Sequence, residues 1–253
     1  MRKILFYGVG GAYVILGLPL LGIAIILDRL NCTKASHTIA HRYIAFFAAL
    51  LLKLAGVKVT VEGKENLPND LPVVFISSHQ GHFDSAVILA HIKVPLTFVA
   101  TINAANFSVI SKWFELGKII YMERGNLRQN YFAMKQAEEV LTSGISVVIY
   151  PEGIISNKPE MGRFKRGSFR LATDTGRAIV PLVIDGSWEV MGPENDRIQP
   201  AHVVLRILPP IATAGLTKSE HQALVDHVYG LIAANLQEIQ ARRSRGRQAA
   251  GDR

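Results

Sequence analysis

Cysteine is almost missing from this 253-residue chain: Cys32 stands alone, which rules out an intrachain disulfide and any multi-cysteine metal site. Acid is also scarce, with 20 Asp and Glu against 28 Lys and Arg, a formal charge of +8. Such an excess points to a polyanionic partner, either nucleic acid or an anionic membrane surface. The usual marks of nucleic-acid binding are absent, since no basic helix carries interleaved aromatics and no aromatic RNA-binding motif occurs. Yet 49% of the residues are hydrophobic. A chain both basic and apolar suits a bilayer carrying anionic lipid, where each nearby Lys or Arg contributes about 1 kcal/mol.

Charge disappears altogether over residues 4–27, between Lys3 and Asp28. That run exceeds the ~20 residues needed to cross a bilayer as a helix. It also exceeds the roughly 7–15 apolar residues of a cleavable signal, and a charged Asp28-Arg29 follows it. Gly8, Gly10, Gly11, Gly17, Gly22 and Pro19 would weaken a soluble helix, but lipid tolerates them. Residues 43–56, YIAFFAALLLKLAG, are shorter and interrupted by Lys53, and read as an interfacial helix. Arg2 and Lys3 on one side, with Arg29, Lys34 and Arg42 on the other, pull both ends of a single span inward. A helical pair that enters one leaflet and returns removes the conflict, so residues 1–56 are expected to be a monotopic membrane anchor, with a single-pass span the alternative.

From residue 57 short β-rich runs alternate with helical ones. Strands are expected at 57–62, 72–77, 95–101, 118–123, 145–150, 179–184 and 202–208. Helices are expected at 85–92, 109–116, 127–142 and 165–175, with one long terminal helix over 216–243. The alternation predicts an α/β domain over 57–243, a largely parallel central sheet flanked by helices and preceded by the membrane-anchoring pair. The basic tail 244–253 reads as disordered, and Arg242, Arg243, Arg245 and Arg247 as available to lipid headgroups.

Two stretches place an Asp five residues after a His: HQGHFD at 79–84 and HQALVD at 221–226. On a helix of 3.6 residues per turn, such a pair is about 140° apart and does not meet. His221 and Asp226 fall inside the terminal helix and read as solvated residues. His79 instead follows the strand run VVFISS, at the sheet edge where open α/β folds bind ligands, and Gly81 permits a sharp bend. The turn can fold Asp84 back onto the imidazole. A neutral His so held can take a proton from an alcohol, while the carboxylate fixes its tautomer. No Gly-x-Ser-x-Gly elbow precedes the pair, so direct attack by a substrate hydroxyl fits better than a covalent intermediate. His82 leaves a metal site of His79, His82 and Asp84 conceivable, but nothing nearby completes a ligand set, and no metal is expected.

With these residues assembled, the chain resembles the glycerolipid acyltransferases typified by 1-acylglycerol-3-phosphate acyltransferase. Four blocks carry the resemblance: His79 through Asp84; GKIIYMERG with Gly117, Arg124 and Gly125; YPEGIIS with Pro151, Glu152, Gly153 and Ser156; and IVPLVI with Pro181. GRFKRGS, 162–168, resembles the family's Phe-Lys-x-Gly segment. The resemblance implies that His79 is the catalytic base and Asp84 its orienting partner. It implies that Arg124, Glu152 and Gly153 shape the acceptor site, aided by Lys165 and Arg166. The co-substrate is acyl-CoA or acyl carrier protein, with no cofactor. The implied reaction is acyl transfer to a lysolipid hydroxyl in phospholipid biosynthesis, lysophosphatidic acid first, at the cytosolic face of a bacterial inner membrane. The chain departs from the family at Ile154-Ile155, where Thr-Arg is usual, and near Thr101-Ile102, where a Lys is common. Isoleucine gives a phosphate no donor, so another lysophospholipid or a lyso-aminolipid remains the alternative acceptor. A metal-dependent lipid hydrolase and a non-catalytic membrane adaptor are the rival classes.

Overall fold

The computed structural model describes residues 2–101, 108–123, 125–191 and 197–251. Seven strands form one sheet: β1 Lys58–Glu62, β2 Val74–Ser77, β3 Leu96–Thr101, β4 Ile120–Met122, β5 Ser146–Ile149, β6 Ile179–Asp185 and β7 His202–Ile207. Their order is β1-β7-β6-β2-β5-β3-β4. Among the described strands every pairing is parallel except β6 with β7, so the sheet is largely parallel, as its alternating pattern predicts. Each expected strand run overlaps an observed strand.

Helices α4 Asp84–His91, α5 Ser108–Leu116, α6 Leu127–Thr142, α7 Arg170–Thr175 and α8 Lys218–Gly251 complete the body. Side chains alternate along a strand, so the central strands need apolar residues on both faces. In β2, Val74 and Ile76 pack against α6 and α8 through Val140, Leu141, Val228 and Ile232. Phe75 points the other way, to Val87 and Ile88 of α4 and Leu52 of the amino-terminal helices. Each such fully buried side chain stabilises the fold by about 1.5–3 kcal/mol.

The amino-terminal region holds three helices, not two: α1 Arg2–Leu16, α2 Leu18–Arg29 and α3 Thr33–Ala55. The apolar run expected to be one segment bends by 45° between α1 and α2. Gly17 is the break. A Cβ there would lie 1.9 Å from the Tyr43 hydroxyl, so any side chain would have to displace the Tyr43 ring of α3, and Pro19 falls in the first turn of α2, where its missing N–H costs nothing. The 43–56 stretch proves to be the second half of a longer α3. That helix is long and apolar enough to cross a membrane, whereas α1 and α2 reach that length only as a bent pair. Their outer faces expose Leu5, Ile15, Leu16, Ile23, Ile26 and Phe46, while Leu21, Ala24 and Ala40 pack on Trp113 and Leu116 of α5.

The carboxyl end differs from its sequence reading. Helix α8 continues past residue 244 as far as Gly251. Arg243 is paired with Asp185 and Glu189, and Arg242 with Glu62, so neither is spare for lipid headgroups. Acids more than fifty residues away in sequence hold them, which no local pattern signals.

Candidate active site

Three parallel neighbours, β6, β2 and β5, end side by side, so the loops that follow them must meet. His79 follows β2, Glu152 follows β5, and Gly186 and Ser187 follow β6. Gly81 shows how tightly they meet. A Cβ on it would lie 2.8 Å from the carbonyl of Ser187 and 2.9 Å from the amide nitrogen of Trp188. Only glycine fits that turn.

The tight turn brings Asp84 back to His79, with Oδ2 2.7 Å from Nδ1. The same oxygen accepts the Gly81 amide at 3.0 Å. Asp84 is fully buried and opens α4, where a helix amino terminus favours its negative charge. A proton held on Nδ1 by this carboxylate leaves the lone pair of the imidazole on Nε2. The His79 side chain keeps 16% of its surface exposed, enough to reach a substrate.

Glu152 holds the histidine by its backbone. Its Oε1 accepts the His79 amide at 2.8 Å, and its Oε2 accepts the Gly162 amide at 2.7 Å. The carboxylate is buried, and that burial raises its pKa while the two amides pull it back. Glu152 is thus a brace between the β2 and β5 loops. Gly153 adopts a left-handed φ of +70°, and a Cβ there would lie 2.6 Å from Lys165 Nζ. Lys165 is exposed and its amide donates to Pro151 at 3.0 Å, folding the loop back on itself. Arg166 is exposed at the start of a short 3-10 turn, Arg166–Phe169. Arg124 lies outside the described residues.

Two site residues escaped the sequence reading. The Tyr150 ring stacks on the imidazole, centroids 3.9 Å apart and planes 12° from parallel, and its hydroxyl lies 3.0 Å from Ser85 Oγ. Burial, then the nearby Asp84 charge, raises the Tyr150 pKa well above its ordinary value, so the phenol stays neutral. Gln80 is buried and bridges loops, donating to the Pro159 carbonyl at 2.9 Å and accepting the Gly186 amide at 3.1 Å. An aromatic before Pro-Glu-Gly was the one available signal for Tyr150; Gln80 had none. His82, by contrast, is exposed, and among the described residues no three His, Cys, Asp or Glu side chains form a metal-binding group. On α8, Asp226 takes hydrogen bonds from Gln222, not from His221.

A buried carboxylate behind a partly open imidazole, at the carboxyl edge of a parallel sheet, is an arrangement able to serve in acid–base chemistry. The chain belongs to the acyltransferase family, whose model matches residues 58–185 and spans both His79 and Glu152. It is similar to the chloroplastic 1-acyl-sn-glycerol-3-phosphate acyltransferase of Arabidopsis thaliana, 31% identical over 60% of this chain and 42% of that one. It is 29% identical to the alpha form of 1-acyl-sn-glycerol-3-phosphate acyltransferase from Mus musculus, over 74% of this chain and 66% of the mouse protein. It therefore spans between two fifths and two thirds of these relatives. Among solved structures, the 1-acyl-sn-glycerophosphate acyltransferase of Thermotoga maritima superposes with a TM-score of 0.79, covering 95% of this chain and 98% of its own at 23% identity, a likeness of fold.

Proposed function

We propose that this protein transfers a fatty acyl group from a thioester, acyl-CoA or acyl carrier protein, to the free hydroxyl of a membrane lysolipid. The Nδ1–Oδ2 contact of 2.7 Å between His79 and the buried Asp84 carries the proposal. Nε2 of His79 takes the hydroxyl proton as that oxygen attacks the thioester carbonyl. Asp84 stabilises the resulting imidazolium, and the Tyr150 ring keeps it in plane. The tetrahedral adduct then expels the thiolate, which recovers the proton from His79. Ester and free thiol are the products, and no cofactor enters the balance.

Lysophosphatidic acid is the first acceptor, giving phosphatidic acid, because the curated relatives carry that activity in their names. Ile154, exposed, and Ile155, half-buried, put apolar surface where the family usually has Thr-Arg. Lys165 and Arg166, exposed on the neighbouring loop with Arg163, are cations able to meet a phosphate in its place. A lysolipid without a terminal phosphate is the second reading. The apolar faces of α1, α2 and α3 support attachment to one leaflet, at the cytosolic face where thioesters are made, and a bacterial inner membrane is the setting proposed.

The test is direct. Purified protein with a labelled acyl-CoA and a panel of lysolipids should yield phosphatidic acid faster than any other product. Equal or faster turnover of a zwitterionic lysolipid removes the phosphate reading, and the lack of any acylated product removes the enzyme.

A further inference from the structure

Most exposed large apolar side chains belong to α1, α2 and α3. Among the described residues of the α/β body there are four others: Leu127, Tyr131, Phe132 and Ile154, at 86%, 61%, 59% and 52% exposure. Single exposed apolar residues are ordinary. These four are not scattered. Leu127 opens α6 directly after β4, Tyr131 stands one turn further along, and Ile154 follows β5. Strands β4 and β5 are separated only by β3, roughly 10 Å of sheet. All four residues therefore lie towards the carboxyl edge that carries His79.

Their setting is cationic. Arg128 adjoins Leu127, and Lys158, Arg163, Lys165 and Arg166 are exposed on the loop after β5. Tyrosine and phenylalanine bordered by Lys and Arg make a surface suited to the headgroup layer of a bilayer. The opposite face of the sheet brings the apolar helices to the same edge. Phe6 of α1 packs its ring 6.1 Å from that of Phe83, the residue before Asp84. Apolar surface thus flanks the catalytic turn from both faces of the sheet.

We infer that the first turns of α6, with Ile154, form a second contact with an anionic lipid surface, so that the edge bearing His79 faces the bilayer. The inference rests on the membrane attachment proposed above and adds the orientation of the body upon it. A lysolipid hydroxyl at the headgroup level then meets Nε2 without leaving the membrane.

The test uses the full chain with vesicles of phosphatidylglycerol and brominated phosphatidylcholine. Three variants are compared, Leu127→Trp, Phe132→Trp and Thr142→Trp, the last exposed at the far end of the same helix. Wild-type protein supplies the background from Trp113 and Trp188. The first two variants should show added quenching of at least twofold and a blue shift, and Thr142→Trp neither. Vesicle flotation without quenching at 127 and 132, or with equal quenching at 142, overturns the second contact while leaving membrane attachment intact. Failure of the wild-type chain to float with vesicles overturns attachment and this inference together.

Discussion

His79 depends on three neighbours that act on different parts of it: Asp84 on Nδ1, Glu152 on the backbone amide and Tyr150 on the ring face. Removing the base or its partner should cost most. His79→Ala and Asp84→Asn are each expected to lower acyl transfer by about 10²–10⁴-fold with an unchanged circular-dichroism spectrum. Retained activity in either would remove His79 from the chemistry. Tyr150 separates ring from hydroxyl. Tyr150→Phe keeps the stack and should stay within a few-fold of wild type. Tyr150→Leu forfeits an aromatic contact of about 0.5–1.5 kcal/mol and should lose up to about tenfold in kcat. Gly81→Ala forces a methyl against the backbone of Ser187 and Trp188, and is expected to cost about 1–3 kcal/mol in urea unfolding.

At the scale of elements, α8 is clipped to the sheet by charge. Arg206 of β7 bonds Glu62 of β1 at 2.7 Å and Glu238 of α8 at 2.8 Å. Burial works against the Glu62 carboxylate, yet Arg206 and Arg242 outweigh it and hold its pKa low; Arg206 also lowers that of the exposed Glu238. A carboxylate with a depressed folded pKa lends stability above its unfolded value and loses it as the pH falls through the folded one. The urea midpoint should therefore drop below pH ~4.3, the ordinary carboxylate value, and Glu62→Gln should flatten that drop. An equal acid drop in Glu62→Gln would take the clip out of the account. Arg243 reaches from α8 to Asp185 and Glu189 beside Gly186, whose amide holds Gln80. The terminal helix thereby steadies the loop next to the His79–Asp84 turn.

Taken whole, the molecule joins a formal charge of +8 to apolar amino-terminal helices. The two respond differently to salt, since the screening length falls from about 10 Å at 0.1 M to about 3 Å at 1 M while apolar insertion persists. Binding to vesicles containing phosphatidylglycerol should weaken over that range yet keep a residue that high salt does not remove. Complete release at 1 M salt would mean that charge alone holds the protein, and that α1 and α2 do not enter lipid.

Strand positions, the parallel sheet and the meeting of His79 with Asp84, where His221 does not meet Asp226, were all legible in the residues. They depend on local alternation, and on whether a His and an Asp five apart sit on a turn or on a helix. Helix ends were less legible. The break at Gly17 comes from Tyr43 across the helix pair, and the continuation of α8 past residue 244 accompanies pairing of its arginines with distant acids. What the chain's order of residues determined alone was the layered α/β plan, the apolar start and the His–Asp spacing. Only the tertiary structure made Glu152 a backbone brace, set Tyr150 on the imidazole and bound Gln80 between loops. Each of those roles needs β2, β5 and β6 to end side by side, and adjacency between strands so far apart in sequence exists only once the sheet has formed.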